Sequence, residues 1–125
     1  MYIVCKNCST RLSNSVDIRD IADRNDNLEQ DFVQTGQAIQ EDGSCCWTER
    51  KGDFYFNKSD VINTRLTEDA QRLNGCCGLD GCDGPNLHCA NCGAYVATTR
   101  TDCWTPHYTI FEHAETSVEI EDFSI

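Results

Sequence analysis

The 125-residue chain is short of positive charge. Ten Lys and Arg stand against 21 Asp and Glu, a formal charge of −11 with a pI near 4.4. No window clusters Lys or Arg, and phosphate binding needs such clusters, so a nucleic-acid surface is excluded. Long hydrophobic runs are missing as well, and none approaches the length of a membrane span. The first residues, Met1-Tyr2-Ile3-Val4-Cys5, have no basic region, no apolar core and no small-residue cleavage site, so no signal peptide is expected. The cytoplasm is then the expected location. Paired cysteines there more often bind metal than form disulfides.

Catalytic signatures are also lacking. There is no G-x-S-x-G, no Walker loop, no dinucleotide fingerprint and no Ser/His/Asp arrangement to single out. Asp23, Asn25 and Asn27 imitate the start of a calcium loop. Leu28 stands where that loop needs glycine, and Gln34 where it needs glutamate, so a calcium site is rejected. His113-Ala114-Glu115 is the H-x-E of a zinc deaminase, but it lies after the C-x-x-C, and His88 replaces the proline before Cys89. Order and proline both fail. His107 reads as a hydrogen-bonded structural histidine, with a polar group at a pocket mouth as the functional alternative.

What the chain does have is ten cysteines, and they are part of a hydrophobic fraction of only 39%. A single domain spanning residues 1–125 is expected, with apolar material thin enough that a staple should supply part of its stability. Cys5-Lys6-Asn7-Cys8 and Cys89-Ala90-Asn91-Cys92 form two matched C-x-x-C pairs, 80 residues apart. A tight turn brings both sulfurs of such a pair to one ion, and four sulfurs close a tetrahedron with no open position. Cys5, Cys8, Cys89 and Cys92 are therefore expected to bind one structural Zn²⁺. A redox C-x-x-C is the competing reading.

A second site is expected among the other six cysteines. Adjacent residues of an extended segment point to opposite faces, so each Cys-Cys dipeptide should offer one ligand. One from each pair with Cys82 and Cys103 gives Cys46, Cys77, Cys82 and Cys103. The competing readings are buried free thiols, or disulfides in an exported protein. Residues 75–85 hold four of the eight glycines, and a loop with no core of its own needs an anchor, which favours metal.

The elements read as mostly antiparallel β with one short helix. Strands are expected at 2–4, 45–48, 54–56, 94–98, 108–111 and 117–123, the last with Val118 and Ile120 on one face. A hairpin should join 45–48 to 54–56. Thr67 should cap a helix over 68–74, stopped by Gly75. Residues 20–31 are a polar surface loop. Trp47, Trp104, Tyr95, Tyr108, Phe54 and Phe56 should chiefly pack the core, with an aromatic ligand cleft as the alternative.

The order of Cys5 and Cys8, Phe54-Tyr55-Phe56-Asn57, Cys89-Ala90-Asn91-Cys92-Gly93 and Tyr108-Thr109-Ile110-Phe111-Glu112 resembles the β-tent zinc domains, the group of Yippee-type proteins and the thalidomide-binding domain of cereblon. The resemblance implies two β-sheets pinned at one edge by zinc, held by those four cysteines, and it implies no ligand. The stretch from Gly75 to Trp104 also resembles a recurrent bacterial cysteine-rich family, which implies no activity.

The function expected is non-enzymatic. A zinc-stabilised β module would bind a protein partner with a basic surface, as an adaptor or an immunity-type inhibitor; a bland reading of the acidity is solubility alone. One alternative is a thiol-dependent redox enzyme. The chain resembles methionine-sulfoxide reductases only in its paired knuckles on a β fold. Cys103, near Arg100 and His107, would be its reactive thiol. The other alternative is a small-molecule sensor with an aromatic cage near Trp104.

Overall fold

The computed structural model describes residues 1–44 and 50–120. Among these residues nine short strands carry the fold: β1 (Tyr2–Cys5), β2 (Asp17–Arg19), β3 (Gln37–Gln40), β4 (Phe54–Phe56), β5 (Thr64–Leu66), β6 (Leu87–Cys89), β7 (Tyr95–Arg100), β8 (Tyr108–Phe111) and β9 (Thr116–Glu119). Seven of them form one sheet in the order β2-β3-β4-β8-β7-β6-β5, and β1 pairs with β9 in a second. All pairings are antiparallel except β2 with β3. The chain is mostly β in two sheets, as its sequence leads one to expect.

Strand alternation explains the core. Phe54, Tyr55 and Phe56 are all buried because both faces of β4 are covered. Phe54 and Phe56 join Ala38, Ala97 and Phe111 on one side, under Ile3, Leu12 and Val16. Tyr55 joins Ile39, Tyr108 and Ile110 on the other, under Phe32 and Val33. Phe32 lies 4.3 Å from Tyr55 between ring centroids, and Tyr55 meets Tyr108 edge-on at 4.9 Å. The Tyr55 hydroxyl donates to the buried Glu41 carboxylate at 2.7 Å, which gives the polar end of the ring a partner. Of the aromatic stock, Phe54, Phe56 and Tyr108 are core residues, whereas Tyr95 is half-buried and Trp104 is exposed.

Several local expectations are corrected. β4 pairs with β3 and β8. The strand expected at 45–48, with Cys45, Cys46 and Trp47, lies outside the described residues. The helix expected over 68–74 is a single 3-10 turn, Ala70–Arg72, capped by the Asp69 carboxylate accepting from Gln71 N–H. Asp69 caps closer to the turn than Thr67, and the turn buries no side chain that would extend it. Val118 and Ile120 are exposed, by 43% and 83%, and Thr116 is the buried residue of β9. β9 is an outer strand of a two-stranded sheet, so its alternation meets solvent instead of a core. β2, β3, β5 and β6 are not among the strands expected from the sequence. They are three or four residues each, and β6 contains a cysteine of the second knuckle.

Candidate metal centre

The two C-x-N-C knuckles have the same backbone. Cys5 ends β1 and Cys89 ends β6, and in each case the other cysteine lies in the turn that follows. Cys5 N–H donates to Thr10 C=O and Cys89 N–H to Ala94 C=O, both at 2.8 Å. Ser9 N–H returns to Cys5 C=O at 2.8 Å, as Gly93 N–H returns to Cys89 C=O at 2.9 Å. The residue after each knuckle is left-handed, Ser9 at φ 62° and Gly93 at φ 80°. Glycine takes that conformation freely and serine does not.

The knuckles face each other. The sulfurs of Cys5 and Cys92 are 3.6 Å apart, as are those of Cys8 and Cys89, and all four lie within 4.8 Å of one another. A tetrahedral ion with bonds of about 2.3 Å to sulfur sets sulfur–sulfur edges of about 3.8 Å. The four thiols could therefore hold a metal ion. Cys5 and Cys89 are buried at the edge of the main core, and Cys8 and Cys92 are half-buried. Because β1 belongs to the small sheet and β6 to the large one, this cluster joins the two sheets.

The environment of the sulfurs is uneven. The Thr10 hydroxyl, 3.1 Å away, and the Asn91 amide hold the Cys8 thiol down at about 6. The Asn7 amide, then Ala94 N–H, lower the Cys92 thiol. Burial pushes Cys5 up to about 12, against opposing backbone N–H bonds. The asparagine of each knuckle thus reaches the second cysteine of the other. Donors of this kind stabilise a thiolate and orient a ligand.

A second group gathers Cys76, Cys77 and Cys103, whose sulfurs also lie within 4.8 Å of one another. Cys77 and Cys103 are 3.0 Å apart at sulfur, and Cys76 is 3.8 Å from Cys77. Both residues of the dipeptide contribute, contrary to the one-ligand expectation. Residues 76–78 form a bend, so the two side chains are not driven to opposite faces. Cys82 is not in the group. It is exposed, and its thiol lies 3.7 Å from the carbonyl oxygen of Asp80. Cys46 lies outside the described residues.

Asp102 builds this second group. Its buried carboxylate accepts from the N–H of Cys76 at 3.0 Å, of Cys77 at 2.9 Å and of Cys103 at 2.8 Å, and from the Trp104 indole at 2.8 Å. The Cys77 and Cys76 amides, with smaller help from the other two donors, hold it well below the usual carboxylate range. The glycines let the loop come close. A Cβ on Gly78 would stand 2.3 Å from Thr101 C=O, and one on Gly81 would stand 2.7 Å from Arg100. Leu79 C=O accepts from Thr101 N–H at 2.9 Å. The loop's glycine content therefore reflects close packing on the end of β7, with Asp102 as an anchor. The signal was in the sequence: Gly75, Gly78, Gly81 and Gly84 recur every third residue, and an aspartate precedes Cys103.

The remaining residues singled out from sequence fall elsewhere. The Cys103 thiol is pushed up to about 12, first by the Cys77 thiol, then by burial and by Asp102, which is the reverse of an activated nucleophile. Arg100 donates to the Tyr108 hydroxyl at 2.9 Å. His107 Nε2 lies 3.2 Å from Asp102 C=O, a structural position, and His113 pairs with Asp53. Trp104 is 48% exposed and enters no ring pair among the described residues. All eight cysteines among the described residues are free. No helix among those residues is long and apolar enough to cross a membrane. No family model matches the chain, and neither a curated protein nor a solved structure does so significantly.

Proposed function

We propose that the chain is a non-enzymatic β module, held together by Zn²⁺ at Cys5, Cys8, Cys89 and Cys92, that binds a protein partner through an acidic face. The observation that carries this reading is the closed four-sulfur cluster between the two sheets. Four thiolates leave zinc no position for substrate, so the ion's role is structural. The β-tent resemblance belongs to the same proposal and is supported by this two-sheet junction.

The face proposed for the partner is the segment 17–31. Asp17, Asp20, Asp23, Asp26, Glu29 and Asp31 are all exposed there, against two arginines, Arg19 and Arg24, of which Arg24 is engaged with Asp26 at 3.1 Å. Ile18 and Leu28 are about half exposed, by 49% and 52%, among those carboxylates. Exposed apolar side chains inside a field of one charge suit a basic partner with an apolar centre. An adaptor or an immunity-type inhibitor in the cytoplasm would use the surface this way. The redox and aromatic-cage alternatives stand behind it, because the Cys77 thiol and Asp102 both disfavour a Cys103 thiolate and Trp104 enters no ring pair among the described residues.

The test has two parts. Native mass spectrometry with metal analysis should find zinc in the untagged protein, released by chelation. Affinity capture at low ionic strength should recover a basic protein that about 0.5 M salt elutes, because salt screens exposed charges. Capture that Asp20→Lys with Asp23→Lys leaves undiminished would remove the acidic face from the reading. A zinc-free, fully folded protein would remove its structural basis.

A further inference from the structure

The chain carries a second cluster whose chemistry differs from that of the closed one. We propose that Cys76, Cys77 and Cys103 form a solvent-open three-thiolate site for Zn²⁺, with Asp102 positioning the ligands and a fourth coordination place left to an exchangeable ligand.

Convergence is the first ground. Two chain segments, 76–77 and 103, bring three sulfurs within 4.8 Å of one another on the surface. Cys76 and Cys77 are exposed and Cys103 is half-buried, so an ion there is reached from solvent. Three soft anionic donors select a thiophilic cation over Ca²⁺ or Mg²⁺.

Preorganisation is the second. One carboxylate accepts a hydrogen bond from the backbone of each of the three cysteines. Its Oδ1 serves Cys77 and Cys103, and its Oδ2 serves Cys76 and the Trp104 indole. With its acceptor sites directed at these donors, Asp102 acts as a support beneath the sulfurs and not as a ligand. The Asp102 carbonyl is also held, by the His107 ring at 3.2 Å. The backbone is closely folded here, Gly75 onto Gly78 and Gly78 onto Thr101, which sets the cysteine dipeptide against the end of β7. A Cβ on Gly75 would fall 1.6 Å from Gly78 C=O.

Incompleteness is the third. Among the described residues no fourth His, Cys, Asp or Glu donor joins the trio, whereas the first cluster has its four. Zinc sites with three protein ligands keep water or an exogenous group in the fourth place. The open place would let a partner's side chain, a small thiol or an imidazole bind the ion directly.

The experiment is an anaerobic titration of the reduced, metal-free full chain with Co²⁺ and then Zn²⁺. Two equivalents should bind, each with a thiolate-to-cobalt band. Cys77→Ser and Cys103→Ser should each lose one equivalent and keep the other, which also shows that they fold. Asp102→Asn should weaken the second equivalent about 10–100-fold and leave the first unchanged. Imidazole should change the ligand-field spectrum of the wild-type protein but not that of Cys77→Ser. One equivalent in the wild-type protein that Cys77→Ser retains, or two retained in Cys77→Ser, overturns the proposal. So does loss of the second equivalent in Cys46→Ser or Cys82→Ser, or a Cys77–Cys103 disulfide in place of the metal. A single equivalent that Cys77→Ser loses would instead overturn the first cluster's reading. The outcomes that overturn the proposal are independent of the partner reading, which rests on the first cluster and the acidic face.

Discussion

The amide of Asn91 supports the thiol of Cys8 across the junction between the two sheets. Asn7 supports Cys92 in the opposite sense, so the knuckles exchange their outer donors. Asn7→Ala and Asn91→Ala should each lower zinc affinity at this cluster about 10–100-fold, and by similar factors if the exchange is symmetric. Competition against a chromophoric chelator measures this. Unchanged affinity in both variants would show that the asparagines only shape the turns.

Ser9 and Gly93 occupy equivalent left-handed positions, at φ 62° and φ 80°. Only glycine is relaxed there. Ser9→Gly should stabilise the zinc-loaded protein, and Gly93→Ala should destabilise it, each by about 1 kcal/mol. A Cβ on Gly93 would meet nothing within 4 Å, so its cost is conformational and not steric. Urea midpoints at fixed free zinc decide the point. A stabilising Gly93→Ala would contradict the assigned turn.

Gly78 differs, because a Cβ there would stand 2.3 Å from the backbone oxygen of Thr101. Gly78→Ala should cost about 1–3 kcal/mol, the range for forced overpacking, and should displace Cys76 and Cys77 from Cys103. The first zinc should bind as before. Hydrogen exchange at Leu79 and Thr101 amides should rise, since these two residues bond each other across the contact.

Asp102 has a folded-state acidity below its ordinary value of 3.8. A depressed carboxylate contributes stability that is present above the unfolded value and lost as pH falls through the folded one. In metal-free protein this contribution should therefore be intact above pH 3.8 and disappear below it. A Trp47→Phe background leaves Trp104 as the single tryptophan, and its indole donates to this carboxylate. Its fluorescence should follow the loss on acidification. Asp102→Asn should remove that transition; a transition of unchanged shape would assign it to another carboxylate.

Much of the first cluster was legible in the residues. Two C-x-N-C units in one small chain declare a four-sulfur set, and their spacing says that remote segments are tied together. The aromatic run Phe54-Tyr55-Phe56 marks a strand, although its neighbours, β3 and β8, lie at sequence distances that periodicity cannot choose between. The second cluster was only half legible. Treating Cys76 and Cys77 as extended backbone excluded one of them, and the bend that brings both to Cys103 depends on Gly75 fitting against Gly78 and Asp102, and on Gly78 fitting against Thr101. Asp102 looked like one more acidic residue among many.

By itself, then, the order of residues determined the β character, the strong acidity and the four thiols of the closed cluster, because these follow from local pattern and from ligand spacing. Tertiary structure alone decided which strands pair, that the closed cluster lies between two sheets, and that one buried carboxylate gathers three further cysteines. Those outcomes depend on packing between segments far apart in the chain, where the lack of a Cβ at Gly78, which would stand 2.3 Å from Thr101 C=O, and one hydrogen-bond acceptor at Asp102 select the arrangement.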